Sequence, residues 1–210
     1  MAPLWDNTEK KTLRASEQDR ADIAKARRVW RKQQSSFDPA KLVFLDESGA
    51  KTNLTRLRGR AQRGERVHAA NPQGRWHTTT MISSMRADGT TACMTIDGPT
   101  DTEVFRAYVQ QILSPTLRAG DVLILDNLSP HKSDGTLDLI KKRGAEVRFL
   151  PAYSPDFNPI EMMWSKVKAS LRSAEARTQP ALTRAVAAAL GSVTAQDARN
   201  WFAHCGYSFI

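Results

Sequence analysis

"DVLILDN", from Asp121 to Asn127, is a nearly unbroken apolar run that ends in an Asp–Asn pair. A strand with one wet face alternates apolar and polar residues, whereas a strand covered on both faces does not. The run therefore predicts a strand inside a sheet that carries helices on both sides. The chain beyond it agrees. "SDGTLDLIKKRG", residues 133–144, predicts a short helix closed by Gly144, and "EVRFLP", residues 146–151, a further strand. Ile160, Met163, Trp164, Val167 and Leu171 then recur at helical spacing, with Trp164 a core residue, and two more helices are expected at about 180–191 and 195–204.

Upstream, "RWHTTTMISSM" and "TTACMTIDG", joined by "RADG", predict a β-hairpin on an Asp-Gly turn, with Trp76 as a sheet aromatic. "TDTEVFRAYVQQIL" sets Val104, Phe105, Tyr108, Val109 and Ile112 on one helical face behind Thr100 and Glu103 at capping-box spacing. "KLVFLDES", residues 41–48, predicts a strand ending at Asp46. A helix over Ser16–Gln34, capped by Ser16 and Asp19, has only a narrow apolar stripe of Ile23, Ala26, Val29 and Trp30, which suits a docking or linker helix. Antiparallel strands followed by strand–helix alternation give the α/β class: a mixed five-stranded sheet flanked by helices. The expected organisation is a lead-in and linker helix over residues 1–40 and one globular domain over residues 41–210.

Thirty-one Lys and Arg stand against 22 Asp and Glu, a net charge of +9, which points to a polyanionic partner and to nucleic acid before an anionic membrane surface. No apolar run reaches the length of a membrane span. Residues 1–30 carry charge throughout and do not read as a signal peptide, so Cys93 and Cys205 are expected as reduced thiols in a cytoplasmic protein.

Two of the predicted strands end in carboxylates, Asp46 and Asp126, although Asp is depleted in strands and costly near a core. A third lies in "LPAYSPDFNPIEMMWSKVK", Leu150 to Lys168, where Pro155 and Pro159 stiffen the approach to Glu161. Asn158 as N-cap, Pro159 at the first helical position and Glu161 three residues after the cap also form a helix-start signature. The 34 residues between Asp126 and Glu161 allow one helix and one strand to return the chain to the same edge. Carboxylates gathered in one cleft repel unless a cation neutralises them, and an all-oxygen donor set suits Mg2+ or Mn2+. Two such ions act on phosphodiesters, which a basic chain would attract. Glu47 is the rival of Asp46, but strand alternation sends the two side chains to opposite faces.

At "LDES", "LILDNLSPHKS" and "YSPDFNPIEMMWSKVK" the sequence resembles the DDE transposases of the mariner-like superfamily, in particular the bacterial insertion-sequence branch. The similarity covers roughly residues 12–205 and includes "TLRASEQDR" and "RGRAQRGERV". It implies a ribonuclease-H-like fold and a metal-dependent endonuclease and strand-transfer activity in DNA transposition, recombination and integration. It also implies Asp46, Asp126 and Glu161 as the catalytic, metal-binding triad with two Mg2+ ions, for which Mn2+ would substitute. The third carboxylate is Glu, where mariner itself has Asp.

Members of that group usually carry an N-terminal helix-turn-helix region, whereas about forty residues precede the first predicted strand here. The expectation is thus a catalytic domain alone, acting on double-stranded DNA at element ends and target. A homo-oligomer on DNA and a separate helix-turn-helix protein are the expected partners. The alternatives are a ribonuclease-H-type nuclease and a non-catalytic DNA-binding remnant that modulates transposition. Lys51, Arg56, Arg58, Arg60, Arg63 and Arg66, clustered just after Asp46 with only Glu65 opposing them, are the expected contacts to DNA phosphates. His131 and Asn127 are candidates to orient the carboxylates or the substrate, with a turn histidine after Ser-Pro the equal reading of His131, and Asp156 is expected to shape the turn before Glu161.

Overall fold

The structure is a computed structural model that describes residues 14–62, 64–127 and 129–209. Five strands, β1 (Leu42–Lys51), β2 (Thr78–Arg86), β3 (Thr91–Asp97), β4 (Val122–Leu125) and β5 (Glu146–Phe149), form one sheet in the order β3-β2-β1-β4-β5. The first three are antiparallel neighbours, and β4 and β5 run parallel to β1. The mixed sheet expected from the alternation of elements is therefore present. The turn between β2 and β3 needs its glycine: Gly89 has φ +85°, and a Cβ there would stand 2.9 Å from the backbone of Thr194 and Ala195.

Among the described residues six α-helices cover the sheet: α1 (Ala21–Gln34), α2 (Thr102–Tyr108), α3 (Asp134–Lys141), α4 (Ile160–Ala174), α5 (Gln179–Gly191) and α6 (Ala195–His204). Side-chain alternation along β1 divides the core. Leu42 and Phe44 face α4, α5 and α6, where Phe44 packs edge-on against Phe202 and Tyr207. Val43 and Leu45 face Phe105, Tyr108 and Val109 of the α2 segment. The parallel strand β4 is buried between the same two layers, as its unalternating sequence requires.

Some local expectations shift. The helix expected over Ser16–Gln34 is interrupted at Arg20, whose ψ of 136° separates a 3-10 turn, Ser16–Asp19, from α1, and no side chain caps the start. Asp101, not Thr100, caps α2 by accepting from the Val104 N–H at 2.8 Å. Trp76 lies before β2, exposed, with the Lys51 ammonium 5.9 Å from its ring, so it is not a sheet aromatic. Trp164 is buried in the core. Strand β1 does not stop at Asp46 but continues to Lys51, because β2 pairs with it along its whole length.

Helix α1 docks closely. Its Trp30 is buried and donates to the Tyr207 hydroxyl at 3.1 Å, which in turn donates to the Phe157 carbonyl at 2.9 Å. Gln34 donates to the Cys205 carbonyl at 2.7 Å. No described helix is long and apolar enough to cross a membrane.

Candidate active site

The register of the sheet sets the first two carboxylates side by side. Leu42, Val43 and Phe44 of β1 pair with Val122, Leu123 and Ile124 of β4, and the same offset carried onward brings Asp46 opposite Asp126. Since β4 ends at Leu125 while β1 runs on, Asp46 lies where β1 has lost its parallel neighbour, and a crevice opens there. Alternation turns Asp46 to the α4 side and Glu47 to the α2 side. Glu161, in the first turn of α4, closes the third side. Asp46, Asp126, Asn127 and Glu161 line one cleft of about 450 Å³, whose opposite wall is the chain from Leu150 to Asn158.

The start of α4 differs from the helix signature in its sequence. Pro159 occupies the cap position, no side chain caps the helix, and the Glu161 N–H bonds to the Asn158 carbonyl at 3.1 Å. Glu161 therefore makes no capping box, and its carboxylate is left to the cleft. Asn158 is only 4% exposed, and its Oδ1 has no hydrogen-bond partner among the described residues.

The electrostatics follow from this convergence. Burial, then the charges of Glu161, Asp126 and Glu47, raise the Asp46 carboxyl to about 7 against the pull of the Glu47 backbone N–H. Glu161 is raised as well, by burial first and by Asp126 against the opposing charge of Lys168. Among the described residues no three His, Cys, Asp or Glu side chains are drawn close enough to close on an ion as they stand.

On the far side of the sheet His131 is buried, its ring 4.3 Å from that of Phe105. Nδ1 stands 2.7 Å from Asp126 Oδ1, and Nε2 3.3 Å from Glu47 Oε1. Burial pulls the imidazole towards neutrality, but the two carboxylates outweigh it and raise its pKa to about 9. The residue beside Asp46 thus reaches Asp126 through an imidazole, a link that the sequence does not reveal because Glu47 and His131 lie 84 positions apart.

The predicted DNA contacts lie elsewhere. Lys51 ends β1, and Arg56, Arg58, Arg60 and Arg66 sit exposed in the connection to β2, none paired with a described carboxylate and none lining the cleft. Arg63 lies outside the described residues. Sequence reasoning missed Arg27: its guanidinium reaches Ser154 Oγ at 2.7 Å and Asp156 Oδ2 at 2.7 Å, and lies over the Phe157 ring. Asp156 is thereby tied to α1. Nothing in the charged pattern of α1 singles out this one arginine.

The family model described as DDE superfamily endonuclease matches residues 41–183. No curated protein sequence matches the chain. Among solved structures, the Mos1 transposase paired-end complex with left transposon end is 15% identical at a TM-score of 0.72, covering 94% of this chain and 63% of that one. The catalytic domain of Mos1 mariner transposase is 13% identical at a TM-score of 0.56, covering 92% of this chain and 91% of that one. The mariner Mos1 paired-end complex with Mg gives 14% identity and a TM-score of 0.69. The chain thus spans about 63% of the longer Mos1 chains, and at these identities the likeness establishes a shared, ribonuclease-H-like fold.

Proposed function

We propose that this chain, which belongs to the DDE superfamily endonucleases, is the catalytic part of a DNA transposase that cuts a strand at an element end and joins it to target DNA. One observation carries the proposal: β1, the end of β4 and the start of α4 each deliver a carboxylate to a single cleft. Fold stability gives no reason for that convergence, since three partly buried carboxylates repel and Asp46 is driven towards protonation. A divalent cation relieves the conflict. The all-oxygen donors fit Mg2+, with Mn2+ substituting. Asp46 and Asp126 would hold two such ions between them, and Glu161 would complete one site.

When bound, ions of this kind polarise a phosphodiester and make a water or hydroxyl nucleophilic near neutral pH. The chain's own residues hold the geometry. Asp46 rides on β1 where β2 still pairs with it, opposite Ser83, so its direction is set by that pairing. Asp126, just past a strand end, is steadied by His131. Glu161 projects from a helix whose Ile160, Met163 and Trp164 are buried. The basic surface would bring DNA, at element ends and target, as substrate; a homo-oligomer on DNA and a separate helix-turn-helix protein are the proposed partners.

The test is Mg2+-dependent nicking and strand transfer on labelled oligonucleotides. Asp46→Ala, Asp126→Ala and Glu161→Ala should each lose about a thousandfold or more in nicking, while DNA binding persists. Mn2+ should raise the melting temperature of the wild type and not that of Asp126→Ala. Nicking by Asp126→Ala at the wild-type rate would exclude the proposal. Hydrolysis of RNA–DNA hybrids without joining would replace it with a ribonuclease-H-type nuclease.

A further inference from the structure

Two non-glycine residues among those described have positive φ, and one is readily explained: Glu175, at +47°, ends α4 in the left-handed turn that closes many helices. The other is Tyr153, at +56°. It ends no helix, and an aromatic residue is a poor occupant of a conformation that suits glycine or asparagine. Side-chain burial does not compensate, because Tyr153 is 46% exposed.

The conformation is imposed from outside. The Tyr153 carbonyl accepts from Gln18 Nε2 at 2.7 Å and from Arg27 Nη1 at 3.3 Å, and Arg27 also holds Ser154 and Asp156. Pro151 and Pro155 stiffen the chain on either side. The product of these restraints is an exposed aromatic side chain in the wall of the cleft that Asp46, Asp126 and Glu161 line. Backbone strain maintained around a site is a pointer to what the strained residue does there.

We propose that Tyr153 stacks on a nucleobase of the DNA strand whose phosphodiester enters the carboxylate cleft. The inference rests on the DNA-cutting reading above and adds a demand on the substrate. A base inside a duplex has both faces covered, so the nucleotide that Tyr153 takes must be unstacked or single-stranded next to the scissile phosphate. An aromatic face recognises any base, so the contact sets the position of the strand without reading its sequence.

The experiment is a thermodynamic cycle between protein and DNA. Binding of the full chain is measured, with Ca2+ in place of Mg2+, to a set of oligonucleotides each carrying one abasic nucleotide near the cleavage point. One position should weaken the wild type on the order of tenfold and leave Tyr153→Ala unaffected. Tyr153→Phe should behave as wild type. Tyr153→Gly, which relieves the backbone and leaves the fold intact, should bind as weakly as Tyr153→Ala. Identical abasic profiles for wild type and Tyr153→Ala, or wild-type binding by Tyr153→Gly, would overturn the proposal. The two readings fail separately: a wild type that binds but never nicks removes the endonuclease assignment and leaves the cycle to decide the stacking, whereas a wild type that binds no DNA removes both.

Discussion

His131 shows how much a single side chain can be asked to do at this site. Its ring fills the space beside Phe105, and its two nitrogens face Asp126 on one side and Glu47 on the other. A cation between two carboxylates offsets part of the repulsion that gathering acids creates, and its 2.7 Å approach restricts Asp126. If Asp126 holds metal as proposed, removing a group that orients it in this way should change metal affinity by about 10–100-fold. His131→Ala should therefore weaken Mn2+ binding, followed by the melting temperature during titration, by about that factor. Glu47→Gln, which keeps the imidazole next to Asp126, should cost clearly less. Wild-type Mn2+ affinity in His131→Ala would reduce the histidine to a packing residue. At this scale the sequence was partly legible: alternation along a strand separates Asp46 from Glu47 without any structure, but the imidazole joining Glu47 to Asp126 depends on where the chain after β4 turns, which no local pattern encodes.

At the scale of elements, α1 and the turn before α4 act together. Arg27 is largely covered and bonds to Ser154 and Asp156, while Trp30 and Tyr207 pass a hydrogen-bond chain to the Phe157 carbonyl. The turn so gripped leads directly into Glu161. Arg27→Ala should cost about 1–3 kcal/mol of stability, the value of charge-assisted hydrogen bonds. It should also slow nicking by about tenfold through a looser approach to Glu161. Hydrogen exchange over residues 150–162 should rise in that variant, and unchanged exchange there would show that the turn is rigid without α1. Asp156→Asn, at the half-exposed end of the pair, should have a smaller effect. The elements themselves were readable because their signals are local: an unalternating run for β4, an Asp-Gly turn for the hairpin, helical spacing of large apolar residues for α4. Failures came where tertiary contacts override local signals. The pairing with β2 extends β1 past Asp46, and the Ser-Pro-Asp-Phe-Asn-Pro run ends in a 3-10 turn that displaces Asn158 from the cap. The contacts between the turn and α1 were invisible, since most of the surface of α1 is charged and its Arg27 looks like any other arginine there.

For the molecule as a whole, charge is the property that the proposed DNA binding would use. The net +9 is not spread evenly: Arg56, Arg58, Arg60 and Arg66 stand together in the long exposed connection between β1 and β2, free of ion pairs with described residues. That connection is anchored at its base, where Arg177 donates to the Thr52 and Leu54 carbonyls and Thr55 bonds to Glu175, so its cations leave from the Lys51 end of β1. Neutralising phosphates releases condensed counterions, and each contact contributes a slope of about −0.9 in log affinity against log salt on double-stranded DNA. If the connection follows the DNA backbone with about four to six contacts, the wild-type slope should lie near −4 to −5. Replacing the four arginines by alanine should then flatten it by about 3 to 4, equally for unrelated sequences, because phosphate contacts carry no base information. Nicking at saturating DNA should change little, since none of the four lines the cleft. A slope that survives the replacement would locate the phosphate track on another face, and a collapse of nicking at saturation would mean that the connection reaches the cleft once DNA is bound.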